Sequence, residues 1–271
     1  MKHKERLDKI LVEKGLAESR EKAQRLIMSG VVYVNGQRVD KAGTKVKRDS
    51  KIFIKEKEKY VSRGGYKLEK AIKSFSPHIK GKVCLDIGAS MGGFTDCLLQ
   101  NKARKVYAVD VGTNQLHEKL RKDSRVISLE KTNARYLSSR VIPEKIDFFV
   151  VDVSFISVLK ILPAISSLLV KNGEGIILIK PQFELSKKEV KGGVVKDKKL
   201  HFKAIQKVID GLCEHNFDVL NLTFSETWGP EGNIEFLVYV KKNDGNQCEV
   251  LISSEKIIKI VEEAHEKFFQ R

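Results

Sequence analysis

Along the first sixty residues apolar positions recur at helical spacing, Leu7, Ile10 and Leu11 and then Ala23, Leu26 and Ile27, which predicts two short helices. Ser19 suits the N-cap of the second, with Lys22 three residues on in place of the Glu of a full capping box, and Gly30 closes it. The pattern then becomes alternating. VVYVNGQRV reads as a hairpin that turns at Asn35-Gly36, and KVKRDSKIFI as a further strand of a small twisted sheet. The charged run KEKEKY at 55–60 reads as a strand end or linker, so a domain boundary is expected near Lys59, with domains at 1–59 and 60–271.

From Lys82 onward continuous apolar runs alternate with helical stretches. VCLDIG, KVYAVD, RVISL, IDFFVVD and GIILIK read as strands, with helices over FTDCLLQN, from Thr113, from about Ser157 and near 198–215. That order predicts a largely parallel sheet with helices on both faces. FDVLNLTF and IEFLVYV follow with no helix between them and should pair as a hairpin. A last helix from about Glu255 to Phe268 places Ile257, Ile258, Ile260 and Val261 against the sheet.

Composition sharpens this picture at three points. With 271 residues, 41% hydrophobic and 32% charged, the chain is long enough for one catalytic domain plus a small appendage. The net charge of +16 is concentrated: residues 1–60 hold 17 Lys/Arg against 9 Asp/Glu, half the excess on under a quarter of the chain. Clustered positive charge is the footprint of phosphate neutralisation, which marks this end as a nucleic-acid surface. Cys84, Cys97, Cys213 and Cys248 are scattered without metal-ligand spacing and are expected to be reduced. No metal is expected, and the start MKHKERLDKI has no apolar run. A cytoplasmic monomer with no membrane association is the expectation.

The sharpest motif is Asp86-Ile87-Gly88-Ala89-Ser90-Met91-Gly92-Gly93-Phe94, a glycine-rich turn between the first strand of the larger domain and a helix. Glycines let a ligand approach the backbone, and a helix N-terminus adds unpaired amides. A G-x-G-x-x-G spacing would leave nicotinamide, flavin and S-adenosylmethionine all open, but this spacing differs, and no G-K-[ST] is present to suggest a nucleotide hydrolase. Asp110 ends the next strand about twenty residues later, where a carboxylate can accept from ribose hydroxyls. Asn133 is placed either for an adenine edge or for a turn. Asp152 and Lys180 are charges at strand ends that core building does not require, and the carboxyl ends of parallel strands face the ligand crevice.

The first segment resembles the S4-type RNA-binding domain through Arg6-Leu7-Asp8, Leu11, Ser19-Arg20, Ala23, Ile27, Gly30 and Val32-Tyr33-Val34-Asn35-Gly36. Arg6, Lys9, Arg20 and Arg25 on the helical face, with Lys41, Lys45 and Lys47 along the loop and strand edge, would form the RNA surface; pairing of Arg6 and Arg20 with Glu5 and Glu21 competes with that reading. The glycine turn looks like motif I of a methyltransferase, with Asp86 holding the cofactor's amino-acid end and Gly88, Ser90, Gly92, Gly93 and Phe94 around it. Together with Ser62-Arg63-Gly64-Gly65-Tyr66-Lys67-Leu68 and Gly229-Pro230-Glu231-Gly232-Asn233-Ile234-Glu235, these segments resemble the TlyA family, historically labelled hemolysins but understood as rRNA 2′-O-methyltransferases, and more distantly the FtsJ/RrmJ enzymes.

That resemblance implies a seven-stranded α/β, Rossmann-like class I sheet behind a small α+β S4-type domain, S-adenosylmethionine as cofactor, and ribosomal RNA or ribosomal subunits as partner, with cytidine as the target. It also implies a Lys-Asp-Lys-Glu tetrad at Lys67, Asp152, Lys180 and Glu235, with Glu231 and Glu226 as weaker candidates for the last position. The chemistry suits the set. A ribose 2′-hydroxyl must lose its proton as it attacks, and an ammonium gives up its own more readily when desolvated or set beside another ammonium, so Lys180 is assigned as base and Lys67 as the group steering the ribose. SKKEVKGGVVKD, lysine-rich and without apolar periodicity, reads either as a mobile loop near the RNA or as a plain solvated loop. A non-catalytic assembly factor would predict a broken tetrad, and a membrane-lysing protein an apolar or strongly amphipathic segment; neither is visible.

Overall fold

The computed structural model describes residues 4–55, 58–245 and 247–269; Glu56 and Lys57 of the charged run lie outside the described residues. The chain forms two compact units, Met1–Lys59 and Tyr60–Arg271.

The first unit contains β1 (Lys4–Arg6), α1 (Leu7–Glu13), α2 (Arg20–Met28), β2 (Val32–Val34), β3 (Gln37–Arg38), β4 (Lys45–Lys47) and β5 (Ile52–Ile54). Its core is the predicted apolar set: Leu7, Ile10 and Leu11 of α1 meet Ala23 and Ile27 of α2 over Val32 and Val46. Ser19 Oγ accepts the Lys22 N–H at 3.2 Å, capping α2, and Gly30 takes the positive φ of 73° that ends it. Asn35 and Gly36 both have positive φ, 51° and 81°, the turn geometry whose twist matches paired strands. KVKRDSKIFI does not form one strand. A turn from Lys47 to Ser50 splits it into β4, which pairs with β1, and β5, which joins β2 and β3 in a separate three-stranded sheet. At three residues, β1 is too short for alternation to reveal.

The second unit contains α3 (Gly64–Phe75), β6 (Val83–Ile87), α4 (Gly93–Gln100), β7 (Lys105–Val109), α5 (Glu118–Arg121), β8 (Val126–Leu129), β9 (Ile146–Val151), α6 (Leu162–Leu168), β10 (Leu169–Ile179), α7 (Pro181–Glu184), α8 (Lys198–Glu214), β11 (Phe217–Phe224), β12 (Phe236–Lys242) and α9 (Ser254–Phe269). They build a seven-stranded sheet in the order β11-β12-β10-β9-β6-β7-β8, parallel except at β12, which runs antiparallel to both neighbours. The chain moves outward from β6 through β7 to β8 and then returns to lay β9 on the other side of β6. This reversal opens a crevice at the carboxyl ends of the central strands. Helices cover both faces, with Leu68, Leu98 and Leu120 on one side and Ile165, Val208, Leu212 and Val261 on the other.

Three elements differ from the pattern reading. The helix expected from Thr113 is a single turn, α5. α3 was not expected, because its Gly64-Gly65 start hides the Leu68, Ala71, Ile72, Phe75 spacing behind it. In α9, Ile257, Ile260, Val261 and Ala264 pack inward, but Ile258 is 47% exposed.

The expectation of four reduced cysteines is corrected: Cys213 and Cys248 form a disulfide across 5.3 Å between Cα atoms, while Cys84 and Cys97 are free and buried. The pairing is tertiary. Leu251 and Glu249 hydrogen-bond to Val219 of β11, and this lays the 248 segment beside the end of α8. Among the described residues no helix is long and apolar enough to cross a membrane, and no group of three or more His, Cys, Asp or Glu is arranged to hold a metal ion.

Candidate active site

Asp152 and Lys180 are the first residues beyond β9 and β10, so the parallel sheet delivers both to the crevice. Glu235 arrives from the opposite direction. It precedes β12, whose first residue Phe236 pairs with Ile179, the last of β10, so the antiparallel strand starts where its parallel neighbour ends. Lys67 comes from the first turn of α3.

The four side chains form two ion pairs. Lys180 Nζ lies 2.6 Å from Asp152 Oδ1 and 2.9 Å from Ser154 Oγ. Lys67 Nζ lies 2.5 Å from Glu235 Oε2. Lys67 and Lys180 are only 7% and 6% exposed, and Glu235 is fully buried. Burial pushes the Glu235 carboxyl above the usual carboxylate range, while the ammoniums of Lys67 and then Lys180 pull the other way. Gly229 packs against this carboxyl so closely that a Cβ there would come within 2.4 Å of Oε1.

A cavity of about 360 Å³ opens over these pairs, lined by Lys67, Asp152, Lys180, Ser154, Arg63 and Trp228 among others. Glu235 is not part of its wall and braces Lys67 from behind. A second cavity of about 390 Å³ adjoins it, and Gly88, Ser90, Asp152 and Ser154 border both. The glycine turn separates them. At Gly88, where φ is +82°, a Cβ would come within 2.2 Å of the Asp152 carbonyl oxygen, so glycine is what allows the turn to lie against the end of β9. Asp110 anchors the turn: its Oδ2 accepts the Ser90 N–H at 2.8 Å and its Oδ1 the Gly112 N–H at 2.7 Å.

The residues expected around a cofactor divide into two groups. Gly93 and Phe94 line the first cavity, Asp110 and Asn133 the second, and Gly88 and Ser90 both. Asn133 Oδ1 also accepts the Arg135 N–H at 3.1 Å, so the turn role expected of it is present at the cavity wall. Asp86 and Gly92 line neither cavity and lie behind the turn rather than on its open side. Asp86 is buried beneath the turn, accepting from Thr95 Oγ1 at 2.6 Å, and desolvation pushes its carboxyl up to about 7. Gly92 faces the opposite side, where a Cβ would strike Leu120 and Leu116. Sequence reasoning missed Ser154, Arg63 and Trp228, and also Phe155, which is 91% exposed with φ +65° at the second cavity. The chain's single tryptophan was the one available signal.

In the first unit the predicted basic residues are at the surface, with one unexpected organiser. Asp8 is fully buried and takes Arg6 in a two-pronged pair at 3.0 and 2.9 Å, Arg20 Nε at 3.2 Å and Gln24 Nε2 at 2.9 Å. The Arg6 guanidinium in particular holds the Asp8 carboxyl well below the usual range. The reading that competed with an RNA role paired Arg6 and Arg20 with Glu5 and Glu21; their side chains instead bind Asp8. Lys9 pairs with Glu5 at 3.6 Å, while Arg25, Lys41, Lys45 and Lys47 are exposed.

Comparison with known proteins agrees with both units. The FtsJ-like methyltransferase family matches residues 60–242, and the S4 domain matches residues 5–52. YqxC of Bacillus subtilis, which carries the name of an rRNA methyltransferase, is 47% identical, covering 97% of this chain and 94% of its own. The Mycobacterium tuberculosis protein named 16S/23S rRNA (cytidine-2′-O)-methyltransferase TlyA is 38% identical, covering 89% of this chain and 91% of its own. A solved structure from Streptococcus thermophilus, named as a hemolysin, is 42% identical with a TM-score of 0.76 over 100% of this chain and 98% of its own. A seven-stranded sheet with one antiparallel strand, the turn after β6 and these matches lead to one conclusion: the chain belongs to the FtsJ-like methyltransferase family and carries an S4 domain ahead of its methyltransferase domain.

Proposed function

We propose that this protein methylates the 2′-hydroxyl of a cytidine ribose in ribosomal RNA, in the cytoplasm and as a monomer, with S-adenosylmethionine as methyl donor. The observation that carries this reading is the Lys180–Asp152 pair at the junction of the two cavities, beside a second buried lysine–carboxylate pair. The names of the relatives point to the same substrate.

The cofactor fits the second cavity and the turn. Each Asp110 oxygen accepts one backbone N–H and retains lone pairs for ribose hydroxyls, with Asn133 further along the same wall. Gly88 and Ser90 carry the site into the first cavity, where Gly93 and Phe94 follow. Bound there, S-adenosylmethionine supplies an electrophilic methyl group open to in-line attack.

The chain's own groups prepare the nucleophile. Lys67, held from behind by Glu235, steers the target ribose in the first cavity. Lys180 Nζ would take the 2′-hydroxyl proton as that oxygen attacks the methyl group that bound S-adenosylmethionine would supply. Asp152 and Ser154 fix the direction of that amine toward the cavity. Arg6, Lys9, Arg20, Arg25, Lys41 and Lys45 grip RNA phosphates without reading the bases.

Lys180→Ala should lower methyl transfer to ribosomal subunits by roughly 10²- to 10⁴-fold, the usual contribution of a positioned base, with cofactor affinity by calorimetry unchanged. A near-parental rate with the cofactor still bound removes the assignment. Mapping ribose methylation on rRNA from cells lacking the gene tests the substrate: if every ribose methyl persists, the rRNA reading fails.

A further inference from the structure

The lysine-rich run after α7 belongs to neither ion pair, yet its shape is built in. The Ser186 N–H and Oγ both donate to Glu189, at 3.0 and 2.7 Å, and Lys203 of α8 holds the same carboxylate at 2.5 Å. Gly192 and Gly193 turn the chain with φ of 64° and 78°, and Val195 is buried. Asp197 caps α8 by accepting the Lys199 N–H at 2.7 Å. Asn233 closes the arrangement: its Oδ1 accepts the Val195 N–H at 3.0 Å, and its Nδ2 donates to the carbonyls of Gly193 at 3.0 Å and Pro230 at 3.2 Å. Pro230 and Trp228 line the first cavity, and Asn233 stands two residues before Glu235. The segment is therefore a strap that leaves the Lys180 end of β10 and is clasped to the turn carrying Glu235.

Its charge is one-sided. Lys187, Lys188, Lys191, Lys196, Lys198 and Lys199 are all exposed, and none is in an ion pair among the described residues. The two carboxylates of the strap are engaged elsewhere, Glu189 by Lys203 and Asp197 as the helix cap. A surface shaped for solubility intersperses both signs. These six ammoniums outnumber the carboxylates beside them, Glu189, Asp197 and the Glu231 carboxylate that lies against Gly193, and a polyanion laid along them relieves the remaining repulsion by releasing its own counterions.

The geometry points to the Ser186–Lys199 strap as an RNA-backbone surface of the methyltransferase unit, taking phosphates that flank the ribose presented to Lys67 and Lys180. It rests on the reading of RNA as substrate and adds where that RNA runs. Phosphate binding here orders the approach of the strand to the cavity and contributes affinity without base preference.

The test compares full-length Lys188→Gln/Lys191→Gln with Lys80→Gln/Lys102→Gln, which removes the same charge from exposed positions just before β6 and β7. Ribosomal subunits from cells lacking the gene are titrated by filter binding over a salt series, and cofactor binding is measured by calorimetry. The strap variant should bind subunits roughly ten-fold more weakly, with a log–log salt slope flatter by about 1 to 2, while its cofactor affinity is unchanged and the other variant stays near the parent. Equal behaviour of the two variants overturns the proposal. An iron chelate tethered at Lys188→Cys should cut the rRNA backbone; bound but uncut subunits mean that the strap faces a ribosomal protein, which also overturns it. A parent protein that binds cofactor but no subunit overturns the underlying RNA reading and the strap with it.

Discussion

At the scale of single residues, buried charge is the feature that separates this site from an ordinary sheet edge. Lys67 and Glu235 are paired where water barely reaches, so each depends on the other far more than a surface pair would. Glu235→Ala should cost about 3–5 kcal/mol in urea unfolding, because it strands a buried ammonium. Lys67→Met/Glu235→Leu should recover most of that stability and none of the methyl transfer. If the double variant is as unstable as the single one, the pair does not act as a unit. Asp8 applies the same logic in the first unit, where one buried carboxylate fixes the direction of two arginines.

At the scale of elements, local pattern and tertiary neighbourhood answer different questions. The Asn35-Gly36 hairpin and the Ser19 cap were legible because a turn and a helix start are set by a few adjacent residues. The division of KVKRDSKIFI between two sheets was not, since partner choice depends on β1 and β2 rather than on the strand itself. The link from α8 to the segment after β12 belongs here as well. Cys213 and Cys248 are 35 residues apart, and closing a loop of that length constrains the unfolded chain by about 2–4 kcal/mol. Under denaturing, non-reducing conditions two thiols should titrate, and Cys213→Ser should lower unfolding stability by about that amount. Four reactive thiols would show that the pair is open in solution.

For the whole molecule, the packing of α8 and α9 against the sheet sets a pH limit. His201 is fully buried, its Nδ1 2.8 Å from His265 Nε2, and burial together with the His265 neighbour pushes its pKa down to about 4. A depressed histidine stabilises the fold above its ordinary value of 6.5, and that stability is lost as pH falls from 6.5 toward 4. The loss is on the order of 2–3 kcal/mol. The difference in urea unfolding free energy between the parent and His201→Phe should therefore narrow by that amount between pH 7 and pH 4. A difference that stays constant over the range would mean that His201 does not carry the acid sensitivity.

What the sequence by itself determined is whatever neighbours in the chain decide: the strand and helix order, the glycine turn before α4, the basic first unit, and two charges, Asp152 and Lys180, stranded at strand ends. Periodicity also left α3 hidden behind Gly64-Gly65, so Lys67 was placed by resemblance alone. The tertiary structure decided which atoms meet. It put β12 between β10 and β11, brought Glu235 to Lys67 from the far end of the chain, turned Gly92 toward leucines and Asp86 into the interior, and joined Cys213 to Cys248. The physical reason is common to all of these. Propensity and pattern are properties of a segment, whereas burial, ion pairing and close approach are properties of a place, and a place exists only once strands far apart in sequence share an edge.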